Sequence, residues 1–468
     1  MEILRETRSV CPICLKPVPA KKVLRGRGVY LEKECPEHGA FSTVVWRNRE
    51  DLNSWIGDIP PLAEGENLNC PNACGLCAEH RRDTCCVLLE ITDRCNLNCR
   101  YCFADNHQGS DPSLDTVKSW IRDLVVPGKT LLQLSGGEPT VREDLPEIIA
   151  YAKEVGCRYV QLNSNGLRLA EEDGYAKKLA DAGLSFVFLQ FDSTGDKVWQ
   201  QLRGRPLAEV KETCIRNCDT AHLGVTLVPT LVPSVNIHEI GDIIRFAIKN
   251  SPAVRGVHFQ PVSFLGHMPH LPADEDRFTL DELLYELRVQ AGKWIHQEDI
   301  APSACDHPLC GFHGDFVVMP DRTLMPLTRR GSSQGECCCG VNTVNPAEKN
   351  REFVGRRWER RDAAPASQGD SCCSTSAPQS GSSCCSESAP EPKSSCCSTT
   401  SSSCCSGSSM NMEDFLDRAK SHGFTITAMA FQDAGNLDIE RLRQCSLHVY
   451  KDGRMVPFCS YYLTPLGE

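Results

Sequence analysis

Along the middle of the chain the apolar positions switch between two periods. Short runs at 87–92, 131–134, 159–163, 186–190, 225–231 and 257–261 have the length and apolar content of buried strands. Between them, stretches such as 145–155 and 237–249 repeat apolar residues at helical spacing. This alternation predicts a parallel sheet with helices packed outside it. Six such units make an incomplete version of the eightfold β/α barrel, whose chemistry collects at the carboxyl ends of the strands. The expected fold class is α/β, a partial (β/α)6 barrel over residues 87–270.

Outside that span the pattern breaks. Residues 1–60 read as a small metal-knuckle module, with a strand-like run of Val, Tyr and Leu between two cysteine motifs. Residues 61–86 hold a knot of cysteines in front of the first strand. Residues 271–335 carry Cys305, Cys310 and His313, then a hairpin turning at Asp321-Arg322. From 336 to 409 Ser, Ala, Pro and Cys dominate, with too few large apolar side chains to fold alone, so a disordered, low-complexity linker is expected. Residues 410–468 become globular again, with a helix over 412–422 and a terminal hairpin at Lys451-Asp452-Gly453, forming a small C-terminal domain.

Composition narrows the class. The 468 residues are 41% hydrophobic, enough for an ordinary buried core. A net charge of -11 leaves no basic surface for nucleic acid. With no signal-like start and no apolar stretch of about 18 residues, a cytoplasmic protein without a transmembrane segment is expected. In a reducing compartment the 29 cysteines point to metals and clusters rather than disulfides. All but Cys157, which reads as a structural thiol inside a helix, fall in local groups or C-terminal pairs.

The most specific group is Cys95-x3-Cys99-x2-Cys102, directly after the first strand. Three thiolates from one loop can hold three irons of a [4Fe–4S] cube and leave the fourth open for a further ligand. The alternative is a zinc loop lacking its fourth ligand. Ser135-Gly136-Gly137-Glu138-Pro139 ends the second strand, where glycines allow close backbone approach to an amino group and Glu138 can accept from an ammonium. Asn163-Ser164-Asn165-Gly166 ends the third strand with groups suited to a ribose. Gln190-Phe191-Asp192 ends the fourth. Each is a common turn when taken alone. Their order behind the cysteine loop is what gives them meaning.

At these residues the chain resembles a radical S-adenosylmethionine (SAM) enzyme over roughly 86–265. The resemblance implies Cys95, Cys99 and Cys102 as cluster ligands and Phe103 as the aromatic beside adenine. It also implies Gly136, Gly137 and Glu138 as the amino-group clamp, Asn163 and Ser164 as the ribose strand, and Gln190 and Asp192 as further polar contacts. In that superfamily the product of SAM cleavage is a 5′-deoxyadenosyl radical, and an external donor of ferredoxin or flavodoxin type is expected to supply the electron.

Two further sets surround the core. Cys70-x3-Cys74-x2-Cys77 with Cys85 suits an auxiliary [4Fe–4S] cluster, a structural zinc being the alternative. Cys86 points the opposite way once the strand begins and is left out. Cys11, Cys14, Cys35 and His38 have the spacing of a mononuclear zinc or iron site. Together with the run around the first strand, these sets resemble the group containing tetraether lipid synthase and the methanopterin C-methylase, and related radical SAM (seleno)proteins. By that resemblance Cys305 and Cys310 join Cys445 and Cys459 around a second auxiliary cluster, the alternative being buried free thiols. The Cys-Cys pairs at 372/373, 384/385, 396/397 and 404/405, with Cys337 to Cys339, depart from the group. They read as a soft-metal trap or as a plain linker.

The expected activity is radical functionalisation of an unactivated carbon, by C-methylation or C–C coupling of a lipid or a small cofactor-like molecule. A peptide- or metalloid-modifying radical enzyme is the alternative. A non-catalytic iron–sulfur redox or metal-binding protein is a third, which the Gly-Gly-Glu-Pro turn disfavours.

Overall fold

The computed structural model describes residues 2–57, 70–71, 75–104, 111–270, 272–330, 345–360 and 410–466. The barrel strands form at Cys86–Thr92, Leu131–Gly136, Tyr159–Ser164, Phe186–Gln190, Gly224–Val228 and Val254–Pro261, each parallel to the next. The fifth run divides at Pro229, which has no N–H for a ladder, and Thr230–Leu231 pairs separately with the end of the sixth strand. Period-two alternation sorts the side chains. Leu132, Leu134, Leu162, Val187, Leu189, Leu227, Val257 and Phe259 are fully buried in the outer core. That core includes apolar faces of the helices Leu114–Leu124, Leu145–Glu154, Ala208–Thr220 and Ile240–Lys249. The alternate positions, Gln133, Asn163, Phe188, Gln190, His258 and Gln260, face an interior cavity.

The sheet continues at both edges into the last part of the chain. Gly423–Met429 pairs parallel with the sixth strand and Leu447–Lys451 pairs parallel with the first. Gly311–Val318 then adds antiparallel beyond the former, and Arg454–Pro457 beyond the latter. The C-terminal segment, expected as a small domain, therefore supplies strands to the barrel's own sheet. Its apolar runs carry no sign of which sheet they join, so periodicity could not show this.

A second departure lies inside the expected linker. Pro346–Trp358 is a helix, capped by Asn345, whose side chain accepts from Ala347 N. Its Val354 and Trp358 pack against Leu131, Tyr159 and Phe186, the opening residues of three barrel strands, so the helix plugs the amino-terminal end of the barrel. Trp358 Nε1 donates to Thr425 Oγ1 at 2.9 Å and Arg357 pairs with Asp315 at 2.7 Å. Six of the helix's thirteen residues are charged and its apolar stripe is narrow, which is why composition hid it. The remainder of the linker, including Cys337 to Cys339 and all four Cys-Cys pairs, lies outside the described residues.

The N-terminal module is a four-stranded antiparallel sheet, Glu2–Val10, Pro17–Arg25, Gly28–Cys35 and Gly39–Trp46. It is fastened to the C-terminal segment by buried polar contacts. Lys22 pairs with Asp438 at 2.5 Å, Thr7 Oγ1 donates to Asp438 Oδ1 at 2.7 Å, and Lys33 Nζ donates to the Ala434 carbonyl at 2.7 Å. Among the described residues no helix is long and apolar enough to cross a membrane.

Candidate active site and metal centres

The first strand ends beneath the loop of Cys95, Cys99 and Cys102, and all three line one cavity of about 330 Å³ in the barrel interior. Burial pushes the Cys95 thiol up to about 12, although Leu97 N donates to its sulfur at 3.4 Å. Cys102 is anchored by paired backbone hydrogen bonds with His267, at 3.2 and 2.9 Å. Among the described residues, only Cys11, Cys14, Cys35 and His38 bring three or more ligand atoms within 4.8 Å of one another. The three barrel thiols do not all lie within that distance of one another, and a [4Fe–4S] cluster would use one iron for each.

The glycine turn also has a packing role within the chain itself. A Cβ on Gly136 would sit 2.2 Å from the Thr92 carbonyl oxygen, and one on Gly137 would sit 2.1 Å from that of Arg94. Gly137 N donates to Thr92 O and Glu138 N to Arg94 O, both at 2.8 Å. The two glycines line the cavity, but their smallness is needed to seat the cysteine loop.

Glu138, expected to face an ammonium, is already surrounded by donors. Its Oε1 accepts from Thr140 N at 3.1 Å, Thr140 Oγ1 at 2.6 Å and Ser164 Oγ at 2.8 Å, and its Oε2 accepts from Asn165 N at 2.7 Å. Four donors fill the acceptor capacity of a carboxylate. Burial pushes its pKa up while these donors pull it down, and the former prevails. Glu138 thus ties the ends of the second and third strands together. Ser164 is committed to Glu138 and to Gly166 N at 3.0 Å. Asn163 accepts from Gln161 Nε2 at 2.7 Å and lines the cavity.

On the fourth strand Gln190 lines the cavity, and its buried Oε1 has no partner. Asp192 is fully buried behind it and grips Arg203 in a two-point ion pair at 2.6 and 2.9 Å, while accepting from Thr230 N at 2.9 Å. Arg203 in turn lines the cavity against Cys99. Asp192 therefore reaches the site through Arg203, a residue that sequence reading missed because a single arginine at a helix end carries no motif.

Phe103 meets three rings from the C-terminal part of the chain, Phe431 and Phe458 at 5.4 Å and Tyr462 at 6.0 Å between centroids. Tyr461 and Tyr462 both donate to Glu90 of the first strand at 2.6 Å. These residues follow the long insertion, so nothing local marked them as part of the site.

In the N-terminal module, Cys14 Sγ lies 4.0 Å from Cys35 Sγ, and His38 Nδ1 lies 3.6 Å from Cys11 Sγ and 3.5 Å from Cys35 Sγ. The edge of a tetrahedron built on metal–sulfur bonds of about 2.3 Å is about 3.8 Å, so this donor set fits one metal ion. The hydrogen bond from His38 draws the Cys35 thiol down to about 6, toward the thiolate that a metal needs. The other cysteine sets are redistributed. Cys85 packs against Cys305, and both line the barrel cavity beside Cys86, which faces inward as the opening residue of the first strand. Cys310, Cys445 and Cys459 line a separate cavity of about 20 Å³, with Arg441 Nη2 at 3.6 Å from Cys310 Sγ. Cys70 is buried in the cluster that contains Cys459, Cys77 is half-buried, and Cys74 lies outside the described residues. Cys157 follows the helix rather than lying in it, its sulfur bonded to two backbone carbonyls.

Residues 89–247 match the radical SAM superfamily, and residues 3–47 match the HMPTM N-terminal zinc ribbon domain. The 7,8-dihydro-6-hydroxymethylpterin dimethyltransferase of Methanocaldococcus jannaschii is 32% identical across 98% of this chain and 93% of its own length. The chain belongs to the radical SAM superfamily. A probable GTP 3′,8-cyclase of Methanothermobacter thermautotrophicus is 31% identical over 36% of this radical SAM enzyme and 55% of its own length. Among solved structures, Streptococcus suis SuiB bound to precursor peptide SuiA covers 45% of this chain and 47% of its own, with 15% identity and a TM-score of 0.35. As a radical SAM enzyme the protein works with a [4Fe–4S] cluster and SAM.

Proposed function

We propose that this radical SAM enzyme methylates an unactivated carbon of a small, pterin-like cofactor. The observation that carries the choice is the shape and lining of the barrel cavity. It is closed at its base by Val354 and Trp358, so a long alkyl chain has no passage through the floor. Its walls carry amides and the imidazoles of His258 and His313 rather than an unbroken hydrocarbon surface. The full-length relative named for a pterin substrate supports the same reading.

Cys95, Cys99 and Cys102 would hold three irons of the cluster. When bound, the cluster and SAM supply a 5′-deoxyadenosyl radical that takes hydrogen from an unactivated carbon. The protein's own contribution is placement. Gly136 and Gly137 seat the cysteine loop, Glu138 locks the strand ends, and the Asp192–Arg203 pair holds a positive charge beside Cys99. Cys11, Cys14, Cys35 and His38 would hold zinc or iron in a closed, structural site. The grouping of Cys310, Cys445 and Cys459, and of Cys85 with Cys305, supports auxiliary iron–sulfur sites shared between the preface and the C-terminal segment. A ferredoxin or flavodoxin would supply electrons, a small molecule is the substrate, and the acidic composition supports no nucleic-acid partner.

The test uses anaerobically reconstituted enzyme with SAM, a strong reductant and deuterated 7,8-dihydro-6-hydroxymethylpterin. Deuterium is expected to move from the pterin into 5′-deoxyadenosine. A fully loaded enzyme that forms no 5′-deoxyadenosine would refute radical chemistry. Deoxyadenosine without deuterium would refute the pterin.

A further inference from the structure

We infer that the part of the barrel cavity lined by Gln190 and His258 recognises the polar edge of a flat, uncharged heterocycle, with these two as its specificity residues. This rests on the reading of the substrate as a small cofactor-like molecule and goes beyond it by naming the groups that select the substrate.

The charged groups of the lining are already engaged. Beside His258 and His313, the cavity is lined by Glu138, Arg203 and Asp306. Glu138 accepts from four donors and Arg203 is paired with Asp192. Asp306 Oδ1 accepts from Ser446 N and Ser446 Oγ, both at 2.8 Å, and its Oδ2 faces Ser303 and Cys305. The surface formed by Gln190 and His258 therefore offers neutral hydrogen-bonding groups, which suit an uncharged ligand.

The lining also asks for hydrogen-bonding partners. Gln190 Oε1 is buried without one and lines the cavity. An unsatisfied acceptor of this kind is far from the usual state of a protein interior, where nearly all such groups are paired. A hydrocarbon would leave it unpaired. A heterocycle with a donor along one edge would not.

His258 completes the surface. Its Nδ1 lies 2.8 Å from Thr427 Oγ1, the residue directly across the ladder, which fixes the ring. Its Nε2 has no partner among the described residues. Phe188 stands 5.2 Å from His258 and 4.8 Å from Trp358 between centroids, and these rings floor the cavity with an apolar surface suited to a planar ligand. Burial holds the His258 imidazole neutral, with its pKa drawn down to about 4, so it meets a ligand as a donor or acceptor without charge.

The test measures equilibrium binding of 7,8-dihydro-6-hydroxymethylpterin to the reconstituted enzyme, alongside binding of SAM. Gln190→Leu and His258→Phe should each weaken pterin binding roughly tenfold or more, and His258→Phe, which stands apart from the residues expected to hold SAM, should leave SAM affinity unchanged. In turnover they should raise KM more than they lower kcat, and His258→Gln, which keeps a polar group, should recover part of the loss. If both variants bind the pterin as the wild type does, the inference is overturned. Should His258→Phe fail to retain SAM, His258→Gln, whose pterin affinity should still fall below that of the wild type, decides in its place. If the wild type binds no pterin, guanine and other flat uncharged heterocycles are tried in its place. Binding that depends on Gln190 would then uphold the inference and refute the pterin, whereas failure of every flat heterocycle would overturn the inference.

Discussion

Asp192 illustrates how a residue can belong to the site without lining the cavity, since it acts through Arg203. The pair is almost entirely buried, so removing one partner strands the other's charge in the interior. Asp192→Asn should destabilise the protein by about 3 kcal/mol or more, read as a lower Tm, and should reduce the iron retained per chain after anaerobic purification. His258 makes a different prediction. Its imidazole titrates at about 4 in the fold against 6.5 when exposed, so between those values the unfolded chain binds the proton and the folded chain does not. Its contribution to stability is complete above pH 6.5 and is lost as pH falls toward 4, by roughly 3 kcal/mol across the window. His258→Gln should flatten that part of the acid-unfolding profile. The residue scale is also where sequence reading was strongest and most in need of correction. Gly136, Gly137 and Glu138 could be located from their position after a strand. That the glycines clear space for Thr92 and Arg94, and that Glu138 is already filled by four donors, depends on contacts between distant loops and has no linear signature.

At the scale of elements, the barrel strands were legible because their outward faces are continuously apolar and their lengths are regular. The helix Pro346–Trp358 was not, because its charged residues outnumber the few that enter the barrel floor. Trp358→Ala would remove the ring packed on Phe186 and Phe188 and the hydrogen bond to Thr425. A loss of about 3 to 5 kcal/mol is expected, measurable by denaturant unfolding, with the cavity opened at its base. Gly136→Ala meets a backbone carbonyl and a φ of +118°, which a side chain rarely adopts. It should displace the cysteine loop and show as reduced iron and sulfide content with secondary structure retained.

Across the whole molecule, the N-terminal module and the C-terminal segment are joined through Lys22, Thr7, Ser9 and Lys33. Stripping the metal expected at Cys11, Cys14, Cys35 and His38 should therefore loosen residues beyond the module itself. Hydrogen exchange should accelerate at 432–441 as well as at 9–46, and an effect confined to the module would show that the junction transmits nothing. The composite sheet was the least legible feature. Nothing in the apolar runs at 423–429 and 447–451 announces that they flank the strands Val254–Pro261 and Cys86–Thr92, far earlier in the chain, because pairing between parallel strands is set by tertiary packing rather than local pattern.

That arrangement imposes an order on the protein's birth. As the chain leaves the ribosome, the six central strands emerge with both flanks of their sheet unpaired, and they stay so until the last several dozen residues follow. The thiols of the cysteine loop exist well before the walls of their chamber are complete.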